Sequence, residues 1–274
     1  MKISIITVSY NSSKTIEDTF KSVLNQTYKN IEYLVIDGHS KDGTVNIIKK
    51  YEERFKNENI ELKWISEKDK GLYDAMNKGI EMSTGDIIGI VNSDDFYNGE
   101  EVLQEVVKKF LESDYMGVYG DLVYVEQTNT DIVKRYWKSK KYKIDNFLFG
   151  WMPPHPTVFL KKEVYEKYGN FRLDMGTSAD YEILIRFFYK HKLKMGYIPK
   201  ILVRMREGGV SNIDVKARIK ANKTDKKAWI VNDIIPYFFT IYLKPFRKIK
   251  QFFLKCKLTG GNRNEIQENR NFYK

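Results

Sequence analysis

Two patterns of apolar positions alternate along the first third of the chain. Apolar residues that recur every three to four positions predict amphipathic helices at Ile16–Leu24, Val45–Phe55 and Tyr73–Met82. Between them, short β-branched runs predict strands buried on both faces at Lys2–Ser9, Ile31–Asp37, Glu61–Ser66 and Asp86–Val91. Strands that alternate with helices through short loops predict an α/β fold with a mostly parallel sheet.

The pattern changes in the second half. Val118–Gln127 and Ile132–Trp137 predict antiparallel strands with exposed polar residues, and Thr157–Leu160 and Met195–Met205 predict two more strands. An aromatic and proline-rich loop precedes the third of these. A helix that begins near Asp180 is predicted from four apolar residues on one face, namely Ile183, Leu184, Phe187 and Phe188.

The net charge of +11 belongs to the end of the chain. Residues 1–214 contain 32 basic and 32 acidic residues, whereas residues 215–274 contain 15 basic residues and four acids. This shift in composition predicts a domain at 1–214 and a basic appendage at 215–274.

The appendage combines apolar with basic residues. Trp229–Leu243 holds 11 apolar residues in 15, which is shorter than the roughly 20 that span a bilayer. After this segment, four residues recur at helical spacing and are interleaved with basic residues, namely Phe246, Ile249, Phe253 and Cys256. This pattern predicts basic amphipathic helices on an anionic membrane surface, with a helix that packs on the domain as the alternative.

Two features bear on the compartment. Met1 and Lys2 run directly into the first predicted strand, so no signal peptide is expected. The single cysteine, Cys256, allows no intramolecular disulfide, which fits a reducing compartment. Together with the predicted anchor, these features lead us to expect a cytoplasmic protein on the inner face of the cell membrane.

Acids follow two of the predicted strands. Asp37 ends the second strand, and Asp94-Asp95 come just after the fourth. Open α/β sheets bind ligands beyond the carboxyl ends of their strands, and two adjacent carboxylates repel unless a cation, a hydroxyl or a proton transfer compensates them. We therefore predict a site for a divalent metal and sugar hydroxyls. The alternatives are a helix cap for one acid of the pair, simple turn chemistry for Asp37 and a favoured first-turn acid for Asp180.

The loop after the first strand, Val8–Ser13, contains no glycine. A dinucleotide site requires G-x-G-x-x-G there, and the chain has no G-x-x-x-x-G-K-[ST] phosphate loop either. Acids around one crevice without a glycine-rich loop suit a nucleotide whose phosphates are neutralised by a metal.

Six separated stretches agree with one family. The chain resembles the inverting family-2 glycosyltransferases of the GT-A fold, particularly bacterial enzymes that build surface polysaccharides. The resemblance lies in Ser4–Asn11, Ser22–Tyr28, Val35–Thr44, Asp69–Gly79, Asn92–Asp95 and Ala179–Glu182.

This resemblance implies a Rossmann-like nucleotide-binding half and an acceptor-binding half. It also implies that a hexose is transferred with inversion from a nucleotide sugar to a glycan or lipid-linked glycan. We expect the donor to be UDP-linked. The pathway would be cell-surface polysaccharide synthesis, such as that of lipopolysaccharide or capsule. There are two alternatives. One is a nucleotidyltransferase, although the glycine-rich basic loop that such an enzyme normally has after the first strand is missing. The other is a basic nucleic-acid-binding protein, which a pI near 9.3 suggests. We expect no nucleic-acid partner, because the first 214 residues carry no net charge.

The resemblance also implies roles for individual residues. Asp180 is the expected catalytic base, and Asp95, with Asp94, the expected ligand of Mn²⁺ or Mg²⁺. His155 is a further candidate metal ligand and, with Trp151, a candidate acceptor contact. The order Asp94-Asp95 differs from a strict Asp-x-Asp, so either acid could hold the metal, and Ala179 stands where many relatives carry Glu. The donor-binding candidates are Thr7, Val8, Tyr10, Asp37, Lys70, Asp74, Asn77, Lys78, Ser93 and Asp94.

Overall fold

The computed structural model describes residues 1–208, 215–244, 257–258 and 266–267. The strands are β1 Ile3–Ser9, β2 Ile31–Asp37, β3 Glu61–Ser66, β4 Ile87–Ile90, β5 Phe96–Tyr97, β6 Gly117–Val125, β7 Val133–Trp137, β8 Phe159–Lys161, β9 Met195–Arg206, β10 Lys257–Leu258 and β11 Ile266–Gln267. The α-helices are α1 Ile16–Leu24, α2 Thr44–Asn57, α3 Leu72–Met82, α4 Val102–Leu111, α5 Lys162–Tyr168, α6 Ala179–Leu184 and α7 Val215–Ile230. Short 3₁₀ turns lie at Ile144–Asn146, His155–Thr157 and Leu173–Ser178, and a π-helical segment at Ile185–Lys190 follows α6.

Strands β1 to β4 form the parallel half of the main sheet, in the order β3-β2-β1-β4. The register of β1 with β2 runs from Ile3 opposite Ile31 to Ser9 opposite Asp37. All three pairs in this half are parallel. The carboxyl ends of these strands therefore meet at one edge, and the predicted α/β fold with a mostly parallel sheet is confirmed.

The second half of the sheet mixes directions. It continues from β4 through β8, β6 and β9 to β5, and β7 pairs antiparallel with β6 as expected. Strand β6 was expected to expose polar residues, but it lies between β8 and β9 and is almost wholly buried. Its Asp121 is buried and accepts hydrogen bonds from Tyr136 Oη at 2.5 Å and Tyr197 Oη at 2.9 Å. The buried acid is tolerated because its oxygens are bonded.

The strand pleat separates the core into two layers. Ile3 and Ile5 of β1 face one apolar cluster with helices α1, α2 and α4, whereas Ile6 and Val8 face another with α3, α6 and α7. Successive side chains of a strand point to opposite faces, so both faces of the sheet are covered. This double burial explains the continuous apolar runs.

The predicted appendage contacts this second layer. Trp229, at the end of α7, is fully buried in the same cluster as Tyr181 and Phe187. Part of the apolar segment 229–243 thus packs on the domain, as in the alternative interpretation, although Ile235 and Phe238 are exposed. The division at residue 214 stays a prediction, and the predicted amphipathic helix at 246–256 lies outside the described residues. In the described part of the chain, no helix is both long and apolar enough to cross a bilayer.

An acid at the amino-terminal edge of the sheet is fully satisfied. Glu32 is buried, and its carboxylate accepts hydrogen bonds from Lys2, Ser4, Thr84 and Gly85. Burial alone raises the pKa of Glu32, but the hydrogen bonds from Ser4, Thr84 and Lys2 outweigh it and lower the pKa to about 2. Glu32 therefore stabilises the fold as an ionised group, at the edge opposite the acids predicted to be functional.

Candidate active site

The loops after β1, β2 and β4 are tied into one wall. Asn11 N donates to Ser40 Oγ at 2.8 Å, and Lys41 N donates to Asn11 Oδ1 at 2.9 Å. Ser12 Oγ lies 2.7 Å from Ser93 Oγ, so the first loop also reaches the loop of the paired acids. Asn11 has a left-handed φ of 50°, a conformation that Asn adopts more readily than most residues. Polar residues replace glycine in shaping this wall.

Asp37 organises the wall from within. It is buried, and its carboxylate accepts hydrogen bonds from Ser9 Oγ at 3.0 Å, Ser40 N at 2.9 Å, Ser40 Oγ at 2.5 Å and Ser66 Oγ at 2.6 Å. A carboxylate offers about four acceptor sites. Asp37 must therefore release one of these donors before it can accept a base N–H, and in this structure it joins the ends of β1, β2 and β3.

Beside Asp37, the backbone of Gly38 lies close to two side chains. A Cβ at this position would lie 2.6 Å from Asp69 Oδ2 and 3.4 Å from the ring of Tyr10. Tyr10 itself is 66% exposed. Its ring is open to a flat ligand such as a nucleotide base, which fits its predicted role in donor binding.

The paired acids differ in burial. Asp95 is fully buried, and its oxygens accept long hydrogen bonds of 3.3 Å from Arg206 N and 3.3 Å from Asn92 Nδ2. Burial first, and then the charge of Asp94, raise the pKa of Asp95 well above its ordinary value. Burial also raises the pKa of Asp94, which the Arg206 guanidinium opposes. Unlike Glu32, these acids have too few strong donors to offset burial.

The surroundings of the pair fit a divalent cation. Asn92 Oδ1 is buried next to Asp95 and has no hydrogen-bond partner. Carboxylate and amide oxygens are ligands that Mg²⁺ and Mn²⁺ prefer. Over the described ranges of the chain, no cluster of three or more His, Cys, Asp or Glu side chains could hold a metal. Among the described residues, Asp94 and Asp95 therefore have no third carboxylate, His or Cys beside them that could complete such a group.

Arg206 fixes the position of the pair, and no local pattern in the sequence indicates this role. Its Nη1 donates to the Asp94 carbonyl oxygen at 2.7 Å and its Nη2 to Asp18 Oδ2 at 2.5 Å. The guanidinium also lies 5.1 Å from the centre of the Phe96 ring. Strand β9 thus supplies a fixed positive charge beside the acids, more than a hundred residues further along the chain.

Asp180 occupies the first turn of α6. Its Oδ1 accepts a hydrogen bond from Tyr181 N at 2.8 Å. The pKa of Tyr73 is raised first by burial and then by the Asp180 charge, and the pKa of His155 is lowered by burial and raised by the same charge. Tyr73 and His155 therefore both lie near the Asp180 carboxylate. His155 is placed beside the predicted base, and its ring lies 5.5 Å from that of Phe171.

Tyr124 connects the two groups of acids. Burial raises its pKa first, the Arg135 guanidinium 3.6 Å from its ring centre lowers it, and the charges of Asp95 and Asp180 both raise it further. One ring is thus within electrostatic reach of both predicted functional acids. The charges of the predicted metal ligand and of the predicted base thus both act on the Tyr124 hydroxyl.

Three predicted residues are turned away from the crevice. The Thr7 side chain is buried with its hydroxyl 2.8 Å from Tyr33 Oη, and Val8 is buried in the core. Trp151 is also buried, and its ring packs against those of Tyr119 at 5.8 Å and Phe147 at 5.4 Å. Side-chain contact of these residues with a ligand is not supported, because their surfaces are used in packing.

The remaining donor candidates on the loop before α3 and in that helix are engaged with one another or with neighbours. Lys70 N donates to Asp74 Oδ2 at 2.9 Å, and Lys78 Nζ lies 2.7 Å from Glu67 Oε1. Asn77 bonds Phe171 twice, through Phe171 O at 2.9 Å and Phe171 N at 2.9 Å. Asn77 thereby holds the turn that packs on His155. The side chain of Lys70 is exposed and stays a candidate for phosphate contact.

The region of α7 holds the segment that carries Asp180. Four side-chain contacts cross between them, Lys227 Nζ to Asp174 Oδ2 at 2.9 Å, Thr224 Oγ1 to Ser178 Oγ at 2.7 Å, Trp229 Nε1 to Tyr181 Oη at 3.1 Å and Asn232 Nδ2 to Glu182 Oε1 at 3.1 Å. The predicted appendage therefore supports the predicted base on both sides. Neither hydrophobic periodicity nor charge indicates these pairs.

Comparison with solved structures identifies the class of fold. S. aureus TarS, residues 1–349 in complex with UDP-GlcNAc, matches with a TM-score of 0.66 and 17% identity over 89% of this chain and 69% of that chain. The mannosyltransferase PcManGT of Pyrobaculum calidifontis, in complex with GDP-Man and Mn²⁺, matches with a TM-score of 0.63 and 17% identity over 89% of this chain and 69% of that chain. The chain covers 39% of the longer TarS chain. The fold is that of GT-A enzymes.

Sequence comparison then shows the family. The sequence model of the family described as "Glycosyl transferase family 2" matches residues 4–169. An uncharacterised glycosyltransferase of Mycobacterium tuberculosis is 33% identical over 67% of this chain and 68% of its own length. A PGL/p-HBAD biosynthesis glycosyltransferase of Mycobacterium bovis is 26% identical over 76% of this chain and 78% of its own length. The chain belongs to glycosyltransferase family 2 and uses a nucleotide sugar, which decides against the nucleotidyltransferase and nucleic-acid-binding alternatives.

Proposed function

We propose that this glycosyltransferase transfers a hexose from a UDP-linked donor to a glycan or lipid-linked glycan with inversion, assisted by Mn²⁺ or Mg²⁺. The observation that supports the proposal is the fully buried Asp95 next to the unpartnered Asn92 Oδ1, and the charges of Asp95 and Asp180 both act on Tyr124. The structure of S. aureus TarS holds UDP-GlcNAc and that of PcManGT holds GDP-Man with Mn²⁺, so both kinds of donor occur on this fold.

The sugar is transferred to the acceptor on the side of the crevice where Asp180 lies. An acceptor hydroxyl gives its proton to the Asp180 carboxylate as its oxygen forms a bond to the anomeric carbon. The bond from that carbon to the donor phosphate oxygen breaks, and its electron pair leaves with the nucleoside diphosphate. Attack from the face opposite the leaving group inverts the configuration.

The residues around Asp180 prepare it for this step. The bond from Tyr181 N occupies Oδ1, which leaves the second carboxylate oxygen to accept the proton. The Asp180 charge also acts on the pKa of Tyr73 and of His155, so we infer that both side chains lie on the side of the base. Positioning of the base is a main source of rate acceleration when the reacting atoms are already bound.

The donor side binds the nucleotide. The open ring of Tyr10 supports a nucleotide base, and Ser93, Lys70 and Asp94 lie along the path to the sugar. Asp95, Asp94 and Asn92 would hold the cation, which supplies charge neutralisation for the departing diphosphate. Arg206 keeps the acids in place through its bond to the Asp94 carbonyl.

We further propose a place for this reaction. The basic and aromatic segment after residue 215 would hold the enzyme on an anionic membrane at the cytoplasmic side, where a lipid-linked acceptor is available. The product would then enter a surface polysaccharide such as lipopolysaccharide or capsule. Support comes from composition and from the exposed aromatic residues of the segment.

A hydrolysis screen tests the donor and the metal together. Purified protein is incubated with UDP-glucose, UDP-galactose, UDP-GlcNAc and GDP-mannose, each with Mn²⁺, Mg²⁺ or EDTA, and free nucleoside diphosphate is measured. We expect one UDP-sugar to be cleaved with metal and not with EDTA. Asp180→Asn should bind UDP as the wild type does but release less nucleoside diphosphate, and Asp114→Asn, at an exposed acid elsewhere, serves as the matched control. Cleavage of GDP-mannose alone would overturn the UDP assignment.

A further inference from the structure

An ordered aromatic patch is exposed near the end of the described chain. We define the aromatic patch as Phe149, Tyr237, Phe238 and Phe239, with Ile235 two residues before it. Phe239 stacks on Phe149 at 6.0 Å and on Tyr237 at 5.2 Å, and it meets Phe238 edge-on at 5.3 Å. Ile235 is 93% exposed and Phe238 86%. Large apolar side chains that cluster in contact with water mark an interaction surface.

The patch joins two distant parts of the chain. Thr240 Oγ1 donates to the Leu148 carbonyl oxygen at 2.5 Å. A Cβ on Gly150 would lie 2.9 Å from Thr240 O, so the two backbones are in close approach. These contacts hold residues 237–240 against the loop of Phe149, and the patch is therefore built by the tertiary fold.

A run of lysines borders the patch. Four exposed lysines precede Phe149 in the same loop, with Asp145 as the acid among them, namely Lys138, Lys140, Lys141 and Lys143. Lys140 Nζ donates to Asn146 Oδ1 at 2.9 Å, and the carbonyl of Asn146 accepts from Phe149 N at 3.1 Å. The Lys140 ammonium is thus held at the turn that leads to Phe149.

The combination identifies the partner. Tyr rings prefer the boundary between water and acyl chains, Phe rings of interfacial segments enter the acyl boundary, and lysines reach anionic headgroups. A bilayer needs no complementary shape, which suits a convex set of protruding rings. We propose that the aromatic patch and the lysine run form one docking face for an anionic lipid bilayer.

A chain of packed rings connects this face with the helix that carries Asp180. Packed rings lead from the loop of Phe149 towards the base, with Phe147 6.5 Å from Tyr189 and Tyr189 5.1 Å from Trp229. Trp229 in turn bonds Tyr181, the residue after Asp180. The ring chain thus links the docking face to the segment of the proposed base, and a lipid-linked acceptor is the substrate that this link favours. This part of the inference rests on the proposed function.

Flotation of the full chain with vesicles tests the docking face. Ile235→Ser with Phe238→Ser removes the two most exposed apolar residues, Lys141→Gln with Lys143→Gln removes two charges, and Leu111→Ser, at a site on α4 that is 73% exposed, is the matched control. Vesicles contain phosphatidylcholine alone or mixed with phosphatidylglycerol. Hydrolysis of the nucleotide sugar in solution is measured for every variant.

We expect the wild type to float with the anionic vesicles. The serine pair should lower the bound fraction about tenfold or more, because each large apolar side chain that leaves water contributes roughly that factor. The glutamine pair should weaken binding at about 0.1 M salt and less at about 0.5 M, where charges are screened. Leu111→Ser should float as the wild type does, and hydrolysis should not change in any variant.

Two results would overturn the inference. If the serine pair floats as well as the wild type, the patch does not meet the bilayer. If that pair instead loses thermal stability while flotation is unchanged, the patch is covered by this chain's own residues. If the wild type does not hydrolyse any nucleotide sugar, that result counts against the proposed function alone, because flotation is measured without any donor.

Discussion

Replacing Glu32 by Gln tests whether the buried acid at the amino-terminal edge of the sheet stabilises the fold, in contrast to the acids at the carboxyl edge. Glu32 is buried with donors on both carboxylate oxygens, and its pKa is lowered from 4.5 to about 2. At 1.36 kcal/mol for each pKa unit, the ionised group contributes about 3 kcal/mol to the free energy of unfolding near neutral pH. Gln keeps the shape but directs an amide N–H₂ towards donors from Ser4, Thr84 and Lys2, so the variant loses at least this contribution.

The sign of the pH dependence follows from the lowered pKa. Stability from Glu32 is fully present above the ordinary glutamate value of 4.5 and is lost as pH falls towards about 2. The difference in unfolding free energy between wild type and variant should therefore be largest at neutral pH and fall to less than half of that by about pH 3. Urea unfolding followed by circular dichroism at several pH values measures it.

Glu61→Gln provides the control on the neighbouring strand. Glu61 is 54% exposed and lies 3.1 Å from Lys63, and exposed ion pairs contribute no more than about 1 kcal/mol. The reasoning is refuted if Glu32→Gln changes the unfolding free energy by no more than Glu61→Gln does, or by the same amount at every pH. Donor hydrolysis should be unchanged by either substitution while the protein remains folded.

Three further predictions concern the crevice. Asp95→Asn should raise the melting temperature of the metal-free protein at pH 7, because the raised pKa of Asp95 means that its ionised form opposes folding increasingly as pH rises above its ordinary range. The same variant should lose Mn²⁺-dependent UDP binding in calorimetry, and unchanged binding would exclude Asp95 as a metal ligand. Asp180→Asn should reduce turnover about 10²–10⁴-fold while the Kd for UDP stays within about twofold, since an amide keeps the Tyr181 bond but accepts no proton; turnover near wild type would place the base elsewhere. Trp229→Phe should remove the bond to Tyr181, lower the unfolding free energy by about 1 kcal/mol and reduce kcat about threefold or more without changing the donor KM, and an unchanged kcat would show that α7 only stabilises the fold.

Hydrophobic pattern alone determined much of this protein. Buried parallel strands must be continuous apolar runs because both of their faces are covered, so β1, β2 and β4 could be read directly from the chain. An acid placed just after such a strand lies at the ligand-binding edge by topology, which made Asp37, Asp94 and Asp95 candidates. These are local rules, and they need no knowledge of which elements meet.

Tertiary structure decided what each side chain does. Thr7 and Trp151 occupy expected positions along the chain, but the direction of the side chain turns one towards Tyr33 and the other into the core. Asp37 is saturated by serines from the end of β1, the end of β3 and the loop after β2, whereas Asp95 is short of donors, although both acids lie at a strand end. The same residue type after two neighbouring strands is thus fully hydrogen-bonded at one position and short of donors at the other, according to the donors that folding brings to it.

The pairing of Arg206 with the Asp94 carbonyl and of Trp229 with Tyr181 joins residues that are 112 and 48 positions apart. A pattern in the sequence reports which face of an element is apolar, because that depends on neighbours within a few residues. It does not report which distant donor fills a given acceptor, because that choice is made only when the sheet, α6 and α7 pack together.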